Sequence, residues 1–199
     1  MNNKNSLPEI GYSRDKIIWM IIVPQIILLL ISMVWISIFP KDNVLEYLKF
    51  NPKALFEGII IGFILAMAGY GFYKFAQKTK KMYETVELFE QILSPTFKIL
   101  NVFDIFLLSI TAALCEEIFF RGLLFLKIGI IFSSIAFGLL HLPSTKYWVY
   151  AVWAMLSGAL FSWLFMLTGS LWLPISAHAT NNIVGMFLLK HVNKKIEGK

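Results

Sequence analysis

The sequence predicts an all-α fold: a polytopic membrane helix bundle of about six transmembrane helices, with one amphipathic helix on the inner face. Two observations carry that expectation. Of the 199 residues, 58% are hydrophobic and only 15% charged, with a mean hydropathy of +0.70, well above a soluble domain. The apolar residues also gather into runs of the length a helix needs to cross a bilayer, about 20 residues. One membrane domain over residues 1–199 is expected. It divides into N-terminal and interfacial helices (1–101), a stretch of motif-bearing helices (102–189) and a basic tail (190–199).

Arg14, Asp15 and Lys16 precede the first run, Ile17 to Phe39. It is too long for a signal-peptide core, and Ser37-Ile38-Phe39-Pro40 offers no small-residue cleavage site, so a retained helix is expected. A polar connection, Lys41 to Lys53, leads to a second span from Ala54 to Tyr73. Its Gly58, Gly62, Gly69 and Gly71 suit close helix packing, either within one bundle or between two copies. From Met82 to Ile99, apolar Val86, Phe89 and Leu93 alternate with Glu84, Glu87 and Glu90. That amphipathic segment is too polar to span and is expected to lie along the inner face. Val102 to Leu126, Ile128 to Leu142, Tyr147 to Leu167 and Leu171 to Leu189 complete the six.

Placing both termini in the cytoplasm puts thirteen Lys and Arg inside and four outside, with Arg121 in the membrane, as the positive-inside rule asks. The same bias accounts for the net charge of +6 and the pI near 9.4, so a basic composition implies no nucleic-acid partner here. The single cysteine, Cys115, excludes an internal disulfide and a cysteine metal cluster, and it reads as a small apolar filler.

Ionisable side chains at mid-membrane each cost on the order of 2.5 to 3.5 kcal/mol on insertion scales, so Glu116, Glu117 and Arg121 on one helix need a reason. Glu117 and Arg121 stand four apart on one face and can form an ion pair, which leaves Glu116 the freer carboxylate. Two later spans each carry a histidine: His141, closing Phe137-Gly-Leu-Leu-His, and His178, one turn before Asn182. His191 falls in the basic tail and reads as solvated. Glu116 with a histidine can activate water, and His178 with Asn182 can donate to a developing oxyanion. That chemistry hydrolyses an amide. Glu116, His141 and His178 also make the two-His, one-carboxylate set of a catalytic zinc site, so the residues leave zinc-bound and metal-free mechanisms open. For upright helices, His141 and His178 would differ in depth by roughly 10 Å.

Glu116-Glu117-x-x-x-Arg121, Phe137-x-x-x-His141 and His178-x-x-x-Asn182, in this order on three helices, resemble the CAAX protease and bacteriocin-processing family, also called CPBP or Abi. The resemblance covers the C-terminal half, Val102 to Leu189. It implies an intramembrane endopeptidase in which Glu116 and His141 activate water and His178 and Asn182 hold the oxyanion. Glu117, Arg121 and Phe137 would support the site. It also implies a membrane-associated peptide or protein substrate, a bacterial cell-membrane location, and a role in peptide maturation or bacteriocin self-immunity. Other functions fit an intramembrane Glu with nearby His residues: a proton-coupled transporter, or a non-catalytic immunity or binding protein of the same fold. The oligomeric state is open.

Overall fold

The computed structural model describes residues 12–39 and 44–192. Lys4, Pro40, Lys41, Lys194, Lys195 and Lys199, which entered the reading of the sequence, lie outside them. The described residues are helical, with no strand among them. Four helical runs are long and apolar enough to cross a membrane: Arg14–Ile38, Pro52–Ala76, Val102–Leu140 and Thr145–Thr168. Two differences explain why six expected spans give four such runs: two spans are fused in one run, and the last helix is the more polar one that carries His178, Thr180, Asn181 and Asn182.

Helix α1 (Arg14–Ile38) is capped by Ser13, whose hydroxyl accepts from the Lys16 N–H. Its buried residues Ile17, Gln25 and Ser32 recur at helical spacing, while Trp19, Leu30, Met33 and Val34 on the other side are exposed. An apolar exterior is what hydrocarbon solvates. A one-turn helix, α2 (Val44–Tyr47), leads to α3 (Pro52–Ala76), which Asn51 caps and Pro52 opens.

Along α3 the buried Ala54, Gly58, Gly62 and Ala66 repeat every four residues. A Cβ on Gly58 or Gly62 would collide with Leu173, Ser176 or Ala177, so these glycines bring α3 onto α9 (Trp172–Lys190) inside the bundle. The amphipathic segment forms α4 (Tyr83–Glu87), a π-helical stretch (Leu88–Leu93) and α5 (Ser94–Ile99), packed on the ends of α3 and α9. Glu90 departs from the expected polar face. It lies four residues after buried Val86, is only 3% exposed, and accepts from the Tyr73 hydroxyl (2.9 Å) and the Gln77 amide (2.8 Å).

Helix α6 (Val102–Glu117) opens with a capping box between Asn101 and Asp104, and Arg14 ties α1 to it by two hydrogen bonds to the Asp104 carboxylate, at 2.7 and 2.5 Å. A π-helical stretch (Ile118–Leu124) runs on into α7 (Phe125–Leu140). The 39 residues from Val102 to Leu140 would measure about 58 Å as one straight helix, twice a bilayer core. They are broken at Gly129, whose φ of +74° and ψ of 179° suit glycine alone. There the chain folds back. Glu116 lies thirteen residues before Gly129 and His141 twelve after it, so the two return to one depth.

The expected fourth span is therefore a short helix that stops at His141, and a turn with one 3-10 stretch (Thr145–Tyr147) leads to α8 (Trp148–Thr168). Gly169, at φ +61°, ends α8 in the left-handed conformation. The turn into α9 is not at the surface. Leu171 is fully buried under α2, where its N–H donates to the Tyr47 carbonyl at 2.9 Å, and the Trp172 indole donates to Leu48 at 2.9 Å. Helix α9 thus begins within the bundle, which carries His178 inward. The fold-back and the sunken start of α9 together remove the depth difference expected of upright helices.

Candidate active site

Glu117 and Arg121 form the ion pair the spacing predicts. Their approach is 2.9 Å, and both side chains are at most 1% exposed. A buried guanidinium needs more than one partner, and Arg121 donates a second hydrogen bond to the Gly158 carbonyl at 2.9 Å. Its flat face lies over the Phe137 ring, 4.5 Å from the centroid. Phe137 therefore supports the site from two sides, since its ring also sits 4.4 Å from that of His141.

Glu117 does more than pair with Arg121. The same oxygen lies 2.8 Å from His178 Nδ1, so as a carboxylate it accepts the Nδ1 hydrogen. Phe161 stacks on the imidazole at 5.2 Å. The ring is thereby held with Nε2 facing Glu116, 3.9 Å from its Oε2. His141 is fixed in the same sense. Its Nδ1 lies 2.8 Å from the Phe137 carbonyl, which can only accept, and its Nε2 lies 3.7 Å from Glu116 Oε2.

On a straight helix, Glu116 and His141 would be about 37 Å apart; the break at Gly129 is what joins them. Oxygen Oε2 of Glu116 makes no hydrogen bond among the described residues, whereas Oε1 accepts from the Gln25 amide at 2.8 Å. Two imidazole Nε2 atoms thus approach the one Glu116 oxygen that has no hydrogen bond, and 3.7 Å between Oε2 and His141 Nε2 leaves room for an atom that bonds to both.

Asn182 shares a cavity with both histidines. A cavity of about 240 Å³ is lined by His141, His178 and Asn182, with Tyr150 and Phe161 from α8 and Tyr73 from α3. The Asn181 amide donates to Asn182 Oδ1 at 3.4 Å, which turns the Asn182 NH2 away from that contact. The fold brings Glu116 to both histidines, and the histidines and Asn182 line one cavity, whose lining does not include Glu116. The reading of the sequence named Glu116, His141, His178 and Asn182. It missed Gln25, Tyr150, Phe161 and the Gly158 carbonyl. Gln25 had a signal, as the only amide in the apolar run from Ile17 to Phe39; the others are indistinguishable from ordinary residues of an apolar helix. Cys115 is buried beside Glu116 in the chain.

Zinc ligand atoms sit about 2.0 to 2.2 Å from the metal, hence roughly 3.4 Å from one another. The two approaches to Glu116 Oε2 are wider, at 3.7 and 3.9 Å, and its other oxygen is engaged by Gln25. Among the described residues no group of three or more His, Cys, Asp or Glu is arranged to hold a metal ion. As placed, both histidines stand farther from Glu116 than ideal tetrahedral zinc ligands stand from one another.

Residues 98–184 match the family model described as type II CAAX prenyl endopeptidase Rce1-like, and this stretch holds every motif residue from Glu116 to Asn182. The matched stretch, residues 98–184, is a domain of the CPBP family. No curated protein and no solved structure matches it. The CPBP family is one of CAAX-type intramembrane proteases. With four helices apolar enough to cross, the chain is an integral membrane protein. Helices α1 and α3 lie outside the matched CPBP segment, so what they add to the site belongs to this chain's own structure.

Proposed function

We propose that the protein is an intramembrane endopeptidase that hydrolyses a peptide bond of a membrane-associated peptide or protein, with Glu116 as general base. The observation that carries this is the approach of both imidazole Nε2 atoms to the one Glu116 oxygen that has no other hydrogen bond. A water held there loses its proton to Glu116 Oε2 while His141 Nε2 accepts its other hydrogen bond. The hydroxide adds to the scissile carbonyl carbon. Asn182, and His178 through Nε2, donate to the resulting oxyanion; in donating from both nitrogens the ring carries a positive charge that faces Glu117. Collapse expels the amine, which takes its proton from Glu116, and the carboxylate is restored. No step uses a metal.

The cytoplasmic orientation of the termini is part of this proposal, as is a role in bacteriocin maturation or self-immunity. The test uses purified full-length protein in detergent and quenched membrane-associated peptides. Glu116→Gln is expected to lower kcat by roughly 10²- to 10⁴-fold, the usual contribution of a positioned base. Activity is expected to be indifferent to 1,10-phenanthroline. Normal cleavage by Glu116→Gln would refute the base; loss with chelator and recovery with zinc would refute the metal-free route.

A further inference from the structure

Gln25 lies in the middle of α1, outside the matched segment, yet its amide reaches the carboxylate at the centre of the site. We propose that Gln25 is a positioning residue that aims Glu116. The proposal rests on the reading of Glu116 as base.

Three observations support it. First, the contact is in register. Helices α1 and α6 run the same way, Arg14 meets Asp104 ninety positions on, and Gln25 meets Glu116 ninety-one positions on. The two bridges are therefore about 16 to 18 Å apart along both helices, one near the end and one about half a bilayer core deeper. The deep one is pinned by the shallow one, and by the packing of Ile17 with Leu100, Ile105 and Leu108.

Second, Gln25 has no other work among the described residues. It is 8% exposed, its Nε2 donates to Glu116, and its own Oε1 is buried without a hydrogen-bond partner. Packing α1 on α6 would be served by leucine, which brings no polar atom of its own into the contact. Only the bond to Glu116 explains an amide here.

Third, the donor is neutral and bonds one oxygen. A carboxylate is planar, so holding Oε1 sets the direction of Oε2, which faces His141 and His178. An arginine would bind both oxygens side by side and take Oε2 out of use. The Gln25 amide holds the group and leaves that oxygen available.

The test compares Gln25→Met, which keeps the volume and removes the donor, with wild type, Gln25→Leu as a second apolar variant, Glu116→Gln and the exposed control Ser37→Ala. All are full-length protein in the same detergent. Loss of the donor is expected to lower kcat roughly 10- to 100-fold, as loss of an orienting partner does, with KM within about twofold. A second readout needs no activity. With ¹³C-labelled glutamate, the carboxylate stretch that disappears in Glu116→Gln is expected to shift in Gln25→Met and to stay in place in Ser37→Ala. A kcat within twofold of wild type, or a fall in kcat with an unmoved band, overturns the proposal. Normal turnover by Glu116→Gln would instead refute the base, and the band shift would still decide whether Gln25 holds that carboxylate.

Discussion

Glu116 and Glu117 are adjacent in sequence and both buried, but the fold gives them opposite surroundings. Glu117 is enclosed: Arg121 and His178 both bind one of its oxygens, and Phe137 and Phe161 cover those partners. Glu116 is held by a single neutral amide on one oxygen and has two imidazole nitrogens near the other. A carboxylate that shares an oxygen with a buried cation is committed to structure, because moving it would leave the cation unpaired. One held by an amide can exchange a proton without breaking an ion pair. The turn of about 100° between consecutive helical residues is what sends the two to different neighbours.

Attacking the enclosed side should produce the largest loss of stability. Arg121→Met removes the cation and leaves buried Glu117 with His178 as its remaining partner, for which about 3 to 5 kcal/mol is expected, read as a lower unfolding midpoint in detergent. A midpoint equal to wild type would mean that Glu117 is not committed as described. On the open side the expected loss is catalytic. Asn182→Ala should lower kcat by roughly 10²- to 10³-fold, the usual effect of deleting one oxyanion donor, at an unchanged midpoint. A rise in KM alone would instead make Asn182 a substrate-binding residue.

A third substitution acts on neither carboxylate but on the helix that carries His178. Gly62→Val forces a side chain into the Ala177 carbonyl and Thr180, and overpacking of this kind costs about 1 to 3 kcal/mol. Unaltered stability would break the assignment of that glycine to packing within the bundle.

Much of this was legible beforehand because membrane helices must satisfy their own backbone and so reveal themselves as apolar runs. The pairing of Glu117 with Arg121 followed from spacing, and the motif residues pointed to the candidate site. Tertiary contacts supplied the rest. Nothing in the sequence around Leu171 says that its N–H will find the Tyr47 carbonyl, so the sunken start of α9 was hidden. Gly129 was visible as a glycine, but whether one glycine bends a helix or reverses it depends on φ, which composition does not reveal. Glu90 was misplaced because its charge outweighed its spacing from Val86. Its burial depends on Tyr73 and Gln77, which come from a different helix.

The most direct measurement sets Glu116→Gln beside Glu117→Gln in one preparation, with single-turnover cleavage and thermal unfolding read on each. The account predicts that Glu116→Gln unfolds like wild type and does not cleave, while Glu117→Gln unfolds at a clearly lower temperature. Wild-type cleavage by Glu116→Gln, or the same loss of stability in both variants, would contradict the division of labour between the two carboxylates.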